Sequence, residues 1–135
     1  MAYANNLETI GGENMKIALS SKGKDLESSL DLRFGRCDYF IIYDLETEQF
    51  KIIDNKGKSS SGGAGIAAAQ QLIDQSIECV ITGNVGPNAH ELLTSSNIKI
   101  HKGGEIPCKQ LIESYKEGKL MEIKEAGPAH HGGGR

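Results

Sequence analysis

The chain has no tryptophan, only three prolines and only three cysteines. Three cysteines in 135 residues do not make a disulfide framework, and an odd count leaves at least one thiol unpaired. Such usage fits a reducing cytoplasm, with thiols left for burial or for metal. No apolar run approaches the roughly 18–20 residues needed to span a bilayer, which argues against a membrane protein. The stretch Met1–Asn14 lacks both a basic start and an apolar segment, so it does not read as a secretory signal. Positive charge is not in excess either. A formal net charge of −3 argues against broad binding to nucleic acid. Asp25, Glu27, Asp31 and Asp38 stand close in sequence, but their spacing matches no two-metal hydrolytic site. No nucleophile–base pair is evident. These absences point away from an enzyme and toward a carrier or binder.

What is present suits one soluble α/β domain. Hydrophobic residues make up 38% and charged residues 24%, a globular balance rather than a disordered one. The domain is expected to start at Met15 and run to residue 122. Residues 1–14 read as a disordered leader or an expression remnant, and residues 123–135 as a mobile Gly- and His-rich tail. Residues 16–20, 39–44, 49–54, 78–82 and 98–101 read as strands, rich in β-branched and aromatic types. The short connection 45–48 makes the second and third strands a hairpin. Residues 22–37 read as a polar loop. Helices are predicted over about 64–75, from Pro87, and from Pro107 to a stop at Gly118. Their apolar stripes are Ile66, Ala69 and Ile73; Ala89, Leu92 and Leu93; and Cys108, Leu111, Ile112 and Tyr115. The order βββαβαβα implies a mixed five-stranded sheet, with right-handed crossovers joining its parallel strands.

This order sends four small-residue loops to one rim. They are Arg33-Phe34-Gly35-Arg36-Cys37, Ser61-Gly62-Gly63-Ala64-Gly65, Gly83-Asn84-Val85-Gly86-Pro87-Asn88 and Lys102-Gly103-Gly104. Ligands of open α/β sheets bind at the carboxyl ends of the parallel strands. The three helices point their N-termini there, and helix N-termini favour anions. The expected binding residues are Arg33, Phe34, Gly35, Arg36, Gly62, Gly63, Gly83, Asn84, Gly86, Asn88, Gly103 and Gly104. Strand-to-helix turns also need glycine without any ligand, so Gly83 and Gly86 admit both readings. The run at 62–65 lacks the spacing of a nucleotide-binding fingerprint.

Three residues are candidates for metal. Cys37 stands beside Arg36, which would favour the thiolate; the alternative is a tolerated loop cysteine. Cys108 stands in a first helical turn but shares an apolar stripe, so ligation and burial both remain open. His101 ends a strand at the rim. Cys79 lies inside an apolar strand and reads as core. His90 reads as a surface residue. His130 and His131 can bind metal from the tail, at the entropic cost of ordering it.

Taken together, Phe34-Gly35-Arg36, the strand at 39–44, Gly62-Gly63-Ala64-Gly65-Ile66, Val80-Ile81-Thr82-Gly83, Gly86-Pro87-Asn88-Ala89 and Gly103-Gly104 resemble the dinitrogenase iron-molybdenum cofactor biosynthesis family. The resemblance runs from Lys16 to Leu120. It implies a ribonuclease H-like three-layer α/β/α fold around a mixed five-stranded sheet. It also implies non-catalytic binding or carriage of an iron-molybdenum or other metal–sulfur cluster, with cofactor-assembly proteins as partners. Nitrogenase-linked members often carry histidine directly before Phe-Gly; this chain has Arg33 there. Arginine cannot ligate a metal as histidine does, but it can hold an anionic cluster by charge-assisted hydrogen bonds. A metal-free module binding a small molecule or anion is the competing reading.

Overall fold

β1 (Lys16–Ser21) is the central strand, and five of its residues, Ile17 to Ser21, are fully buried. The computed structural model describes residues 16–127. The expectations for the leader, for Met15 and for His130 and His131 fall outside those residues. β2 (Tyr39–Asp44) and β3 (Phe50–Asp54) form the expected antiparallel hairpin, with Tyr39 opposite Asp54 and Tyr43 opposite Phe50. The Asp44 carboxylate closes its turn, accepting the Glu46 and Thr47 N–H groups at 2.9 and 3.1 Å. β4 (Cys79–Thr82) and β5 (Lys99–Lys102) complete the sheet in the order β3-β2-β1-β4-β5. β1 is antiparallel to β2 and parallel to β4, and β4 is parallel to β5.

The period-2 alternation of each strand feeds two cores. Ala18, Phe40, Ile42, Val80 and Ile100 face α1 (Ala64–Ile73) and α2 (Pro87–Ser95). Ile17, Leu19, Ile41, Tyr43, Cys79 and Ile81 face α3 (Cys108–Lys116). The architecture is thus an open α/β arrangement with helices on both faces of a mixed five-stranded sheet. Each fully buried side chain such as Leu72 or Leu93 contributes roughly 1.5–3 kcal/mol. Pro87 sits in the first turn of α2, and Gly118 ends α3 at φ +71°, both as expected.

Three expectations are corrected. The buried stripe of α1 is Ala64, Ala68, Ala69 and Leu72, while Ile66 is 42% exposed. Small side chains win this face because α1 packs closely on its neighbours: a Cβ on Gly65 would lie 3.3 Å from the Ala89 Cβ. The segment 22–37 is not a free polar loop. Ser21 bridges Leu30, Ser29 bridges Pro107, and residues 34–36 form a 3-10 turn. Finally, the chain beyond residue 122 stays attached up to the last described residue. Lys102 N–H donates to Met121 O and Ile123 N–H to Ile100 O, antiparallel along the outer edge of β5, and Gly127 N–H reaches Val85 O at 2.9 Å. Ile123 packs against the α1/α2 core.

Candidate functional site

The site begins where β1 and β4 run out. Beyond β4 the chain stays beside residues 32–34: Asn84 N–H donates to Leu32 O at 2.8 Å, Phe34 N–H to Asn84 O at 3.3 Å, and Arg33 pairs with Asn84 as a parallel bridge. This approach requires Gly83, since a Cβ there would lie 2.7 Å from both the Leu32 O and Cβ atoms. Phe34 turns inward and its ring meets Phe40 at 5.5 Å. Gly35 lies against the first turn of α1, where a Cβ would be 2.8 Å from Gly65 N. The 3-10 turn, the start of α1 and the start of α2 thereby enclose a cleft of about 480 Å³, within the range usual for ligand sites.

The lining is rich in donors and has no carboxylate. α1 starts from Gly63 in the left-handed region (φ +72°) and α2 from Gly86; neither N-cap carries a side-chain hydrogen bond. First-turn N–H groups therefore stay available for a ligand. A Cβ on Gly62 or Gly86 would meet nothing within 4 Å. Gly86 has an ordinary φ of −72°, so neither packing nor backbone conformation demands glycine there. Its bareness leaves the backbone open to the cleft.

The two arginines play different parts. Arg33 forms a two-pronged pair with Asp31, Nε to Oδ1 at 3.0 Å and Nη2 to Oδ2 at 2.9 Å, and its own N–H donates to Oδ1 at 2.9 Å. The Asp31 side chain is 4% exposed and that of Arg33 68%. Burial pushes the Asp31 carboxyl upward, but the Arg33 hydrogen bonds and charge outweigh it and hold it below the ordinary 3.8. Ser20 Oγ donates to Asp31 O at 2.7 Å and lies 2.7 Å from Thr82 Oγ1, tying the pair to the sheet. Arg36 donates through Nη1 to Lys58 O at 2.9 Å and Ser60 O at 2.8 Å. Carbonyls do not cancel its charge, so Arg36 both clasps the loop before α1 and leaves the cleft positive. Asn55, buried beneath, donates to Gly35 O and Cys37 O at 3.0 and 2.9 Å.

Nine of the expected binding residues line this cleft: Arg33, Phe34, Gly35, Arg36, Gly62, Gly63, Asn84, Gly86 and Asn88. Gly83 lies underneath as a packing residue. Gly103 is buried elsewhere, where a Cβ would press on Leu30, Ile81 and Leu111, and Gly104 is exposed outside the cleft. The N-terminus of α3 is not part of the rim site, because the Cys108 and Lys109 N–H groups donate to Ser28 O and Leu26 O at 2.9 Å each. Sequence reading missed Ile66 as a lining residue and Asp31 and Asn55 as supports. The Asp-x-Arg spacing was the available signal for Asp31.

The three metal candidates do not meet. Cys37 is fully buried in the α1/α2 core with its Sγ 3.4 Å from Phe34 O. Cys108 is fully buried in the α3 core. His101 lies on the α3 side, its Nδ1 3.0 Å from Cys79 Sγ and its ring edge-on to Tyr115 at 5.3 Å. There it borders a second hollow of about 680 Å³ with Leu45, Lys99, Leu120 and Glu122. Among the described residues no group of three or more His, Cys, Asp or Glu is placed to hold a metal ion. Arg36 does not favour the Cys37 thiolate: burial first, then Asp31, pushes that thiol up to about 12. Burial likewise raises Cys108 to about 11 and Cys79 to about 12. Cys79 is core, as expected. His90 does not face outward; its Nε2 is buried without a hydrogen-bond partner among the described residues.

The sequence profile of the family described as dinitrogenase iron-molybdenum cofactor matches residues 15–118, which include every segment lining the cleft. An uncharacterised protein of Methanocaldococcus jannaschii is 29% identical over 113 residues, spanning 82% of this chain and 92% of its own. The apo form of the orange protein from Desulfovibrio gigas superposes with a TM-score of 0.82 at 30% identity, over 85% of this chain and 98% of its own. A Thermotoga protein provisionally described as a NifB protein gives 0.70 at 33% identity, over 80% and 92%. With fold, rim and sequence in agreement along the whole described domain, the chain belongs to the dinitrogenase iron-molybdenum cofactor family.

Proposed function

We propose that this protein holds an anionic metal–sulfur cluster of the iron-molybdenum type in the rim cleft and passes it to cofactor-assembly proteins. Family membership supports a cofactor-assembly role without catalysis. The helices on both faces of the sheet support a ribonuclease H-like three-layer classification of the fold. One observation carries the reading: the cleft joins two uncapped helix starts and two arginines, has no carboxylate in its lining, and is edged by glycines that packing does not explain. That set suits a bulky anion whose sulfides accept hydrogen bonds. The lining contains no thiol and no imidazole. The described residues therefore hold the cluster by charge and hydrogen bonds rather than by bonds to its metals. All three cysteines are free, which supports a reducing, cytoplasmic setting. No helix among the described residues is long and apolar enough to cross a membrane.

The test is anaerobic incubation with ferrous iron, molybdate and sulfide, then gel filtration, optical spectra and metal analysis. The wild type should emerge coloured and loaded. Arg36→Met should bind about tenfold more weakly, the scale of one charge-assisted hydrogen bond. A metal-free wild type would overturn the reading. The lack of a metal-ligating group favours one alternative, a metal-free anion-binding module. Saturable binding of inorganic phosphate or sulfate by such unloaded protein would support it.

A further inference from the structure

The two edges of the sheet differ. At β5 the chain's own backbone covers the edge, through Lys102 N–H to Met121 O and Ile123 N–H to Ile100 O. Along the outer edge of β3 (Phe50–Asp54) no described residue pairs. The hairpin fixes which peptide groups lie open there. Asp44 N–H donates to Gln49 O at 2.8 Å and Asn55 N–H to Asp38 O at 3.0 Å. Between them Ile42 lies opposite Lys51 and Phe40 opposite Ile53, so residues 49, 51, 53 and 55 turn their peptide groups inward to β2. Antiparallel alternation then points those of Phe50, Ile52 and Asp54 outward. Asp54 O also accepts from Gln71 Nε2 at 2.6 Å, and a carbonyl has room for a second hydrogen bond. Such an edge is a template for another strand. Its side chains suit one: Phe50 is 42% exposed, and Ile52 and Ile53 are half-buried. The flanks carry opposite charge, Glu46 and Glu48 before the strand and Lys56 and Lys58 after it.

We propose that β3 pairs antiparallel with β3 of a second copy of this chain, about a two-fold axis at Ile52, joining two sheets into one. Ile52 then lies opposite Ile52 of the second copy, and Phe50 opposite Asp54. In this register every outward peptide group meets another outward one, so the Ile52 pair and both Phe50–Asp54 pairs exchange two hydrogen bonds each. On the α3 face, where Ile52 packs, Phe50 reaches diagonally to Ile52 of the second copy. On the other face Lys51 lies opposite Ile53, and its methylene stem covers that side chain. The acidic flank of each copy approaches the basic flank of the other. A parallel pairing would instead set acid against acid and base against base. β3 is parallel to β1, so the two-fold turns the rim clefts to opposite ends of the joined sheet and leaves both open. The pairing is therefore independent of what the cleft holds.

Light scattering on the full chain tests this, from about 10 μM to about 1 mM, a range suited to so small an interface. The mass should rise from 14.5 kDa toward twice that value. Ile52→Pro removes only an outward N–H, which an edge strand tolerates, and should raise the association midpoint by about tenfold or more. Two cysteine variants fix the register and decide the matter if the proline variant does not fold. Under air oxidation Ile52→Cys should give a disulfide-linked dimer, because directly opposed Cα atoms lie about 5.5 Å apart. Phe50→Cys should not, because the two copies of that residue stand about 13 Å apart along the strands. The three native cysteines are buried and do not compete. A mass that stays at 14.5 kDa throughout would overturn the pairing, whether the edge is bare or covered by another part of the chain. A dimer that survives in folded Ile52→Pro, or that cross-links through Phe50→Cys and not through Ile52→Cys, would overturn it by placing the interface elsewhere.

Discussion

The rim cleft and the hollow beside α3 invert the usual relation between residue type and role. The hollow gathers residues that look chemical: Cys79 behind it, and His101, Tyr115 and Glu122 around it. Their polar atoms serve one another. The Cys79 thiol, kept protonated by burial, lies 3.0 Å from His101 Nδ1, and Tyr115 Oη–H donates to Glu78 Oε2 at 2.8 Å. The cleft has hardly any such residues, but its backbone donors and Arg36 have no acidic counterpart. Capacity to bind follows what the fold leaves unsatisfied, not which side chains are present. A cysteine and a histidine at hydrogen-bond distance can be structural, while glycines with nothing against them can be the site.

The sharpest way to break this comparison uses two glycines of one loop. Gly83→Ala should cost about 2–3 kcal/mol, because its methyl meets the Leu32 backbone and no flexible neighbour can yield. Gly86→Ala should stay within about 0.5 kcal/mol of wild type, since that methyl enters open space, yet it should weaken retention of the loaded cluster. Urea denaturation measures the first quantity and metal analysis the second. Equal stability losses would erase the distinction between packed and open glycines.

Next in size are the thiols. Cys37→Ser and Cys79→Ser should each cost about 1–2 kcal/mol, because a hydroxyl replaces sulfur in a closed, largely apolar setting. Metal retained per folded molecule should be unchanged in Cys37→Ser. A loop cysteine ligating metal, the candidate role the sequence offers for Cys37, predicts the reverse: little effect on folding and a loss of metal. A loss of metal at full stability would restore that view and place a ligand beneath the cleft.

The smallest effect is a pH dependence at the hollow. Burial lowers the His101 pKa from 6.5; Lys99 adds to this and Glu122 opposes it. Between 6.5 and the lowered value the unfolded chain binds a proton that the folded one does not. Stability is thus full above pH 6.5, falls as pH drops through that window, and levels off below it. His101→Gln should flatten this part of the profile in urea midpoints measured from pH 7.5 to 5. An unchanged slope would show that His101 is not the group responsible.

Much of this was legible in the chain. The hairpin followed from a short polar connection between two β-rich runs, and the rim followed from strand direction alone. The missing parts have physical causes. Periodicity favours large apolar residues, so it chose Ile66 over the alanines that close helix packing selects. The carbonyls of Leu26 and Ser28 that cap α3 have no sequence signature. Cys37 was judged by its sequence neighbours Arg36 and Asp38, but its side chain turns inward beside Phe34 and Phe40. For His101 the clue was present: strand alternation puts it opposite Ile100, and with Ile100 under α1 and α2 it must face α3.

The cleft walls come from three stretches far apart in sequence, at 33–36, 61–66 and 84–89. The β2–β3 hairpin needs only a short loop closure, whereas pairing β1 with β4 brings Ile17 to Cys79, a distant closure with the larger entropic cost. Until that pairing forms, Gly83 has no Leu32 to rest on and α2 has no fixed start. A half-folded chain therefore has no cleft at all, and whatever binds there can recognise only the finished molecule. Occupancy then acts as a ratchet on folding: a ligand that binds only the native state, present at a hundred times its dissociation constant, adds about 2.7 kcal/mol to that state.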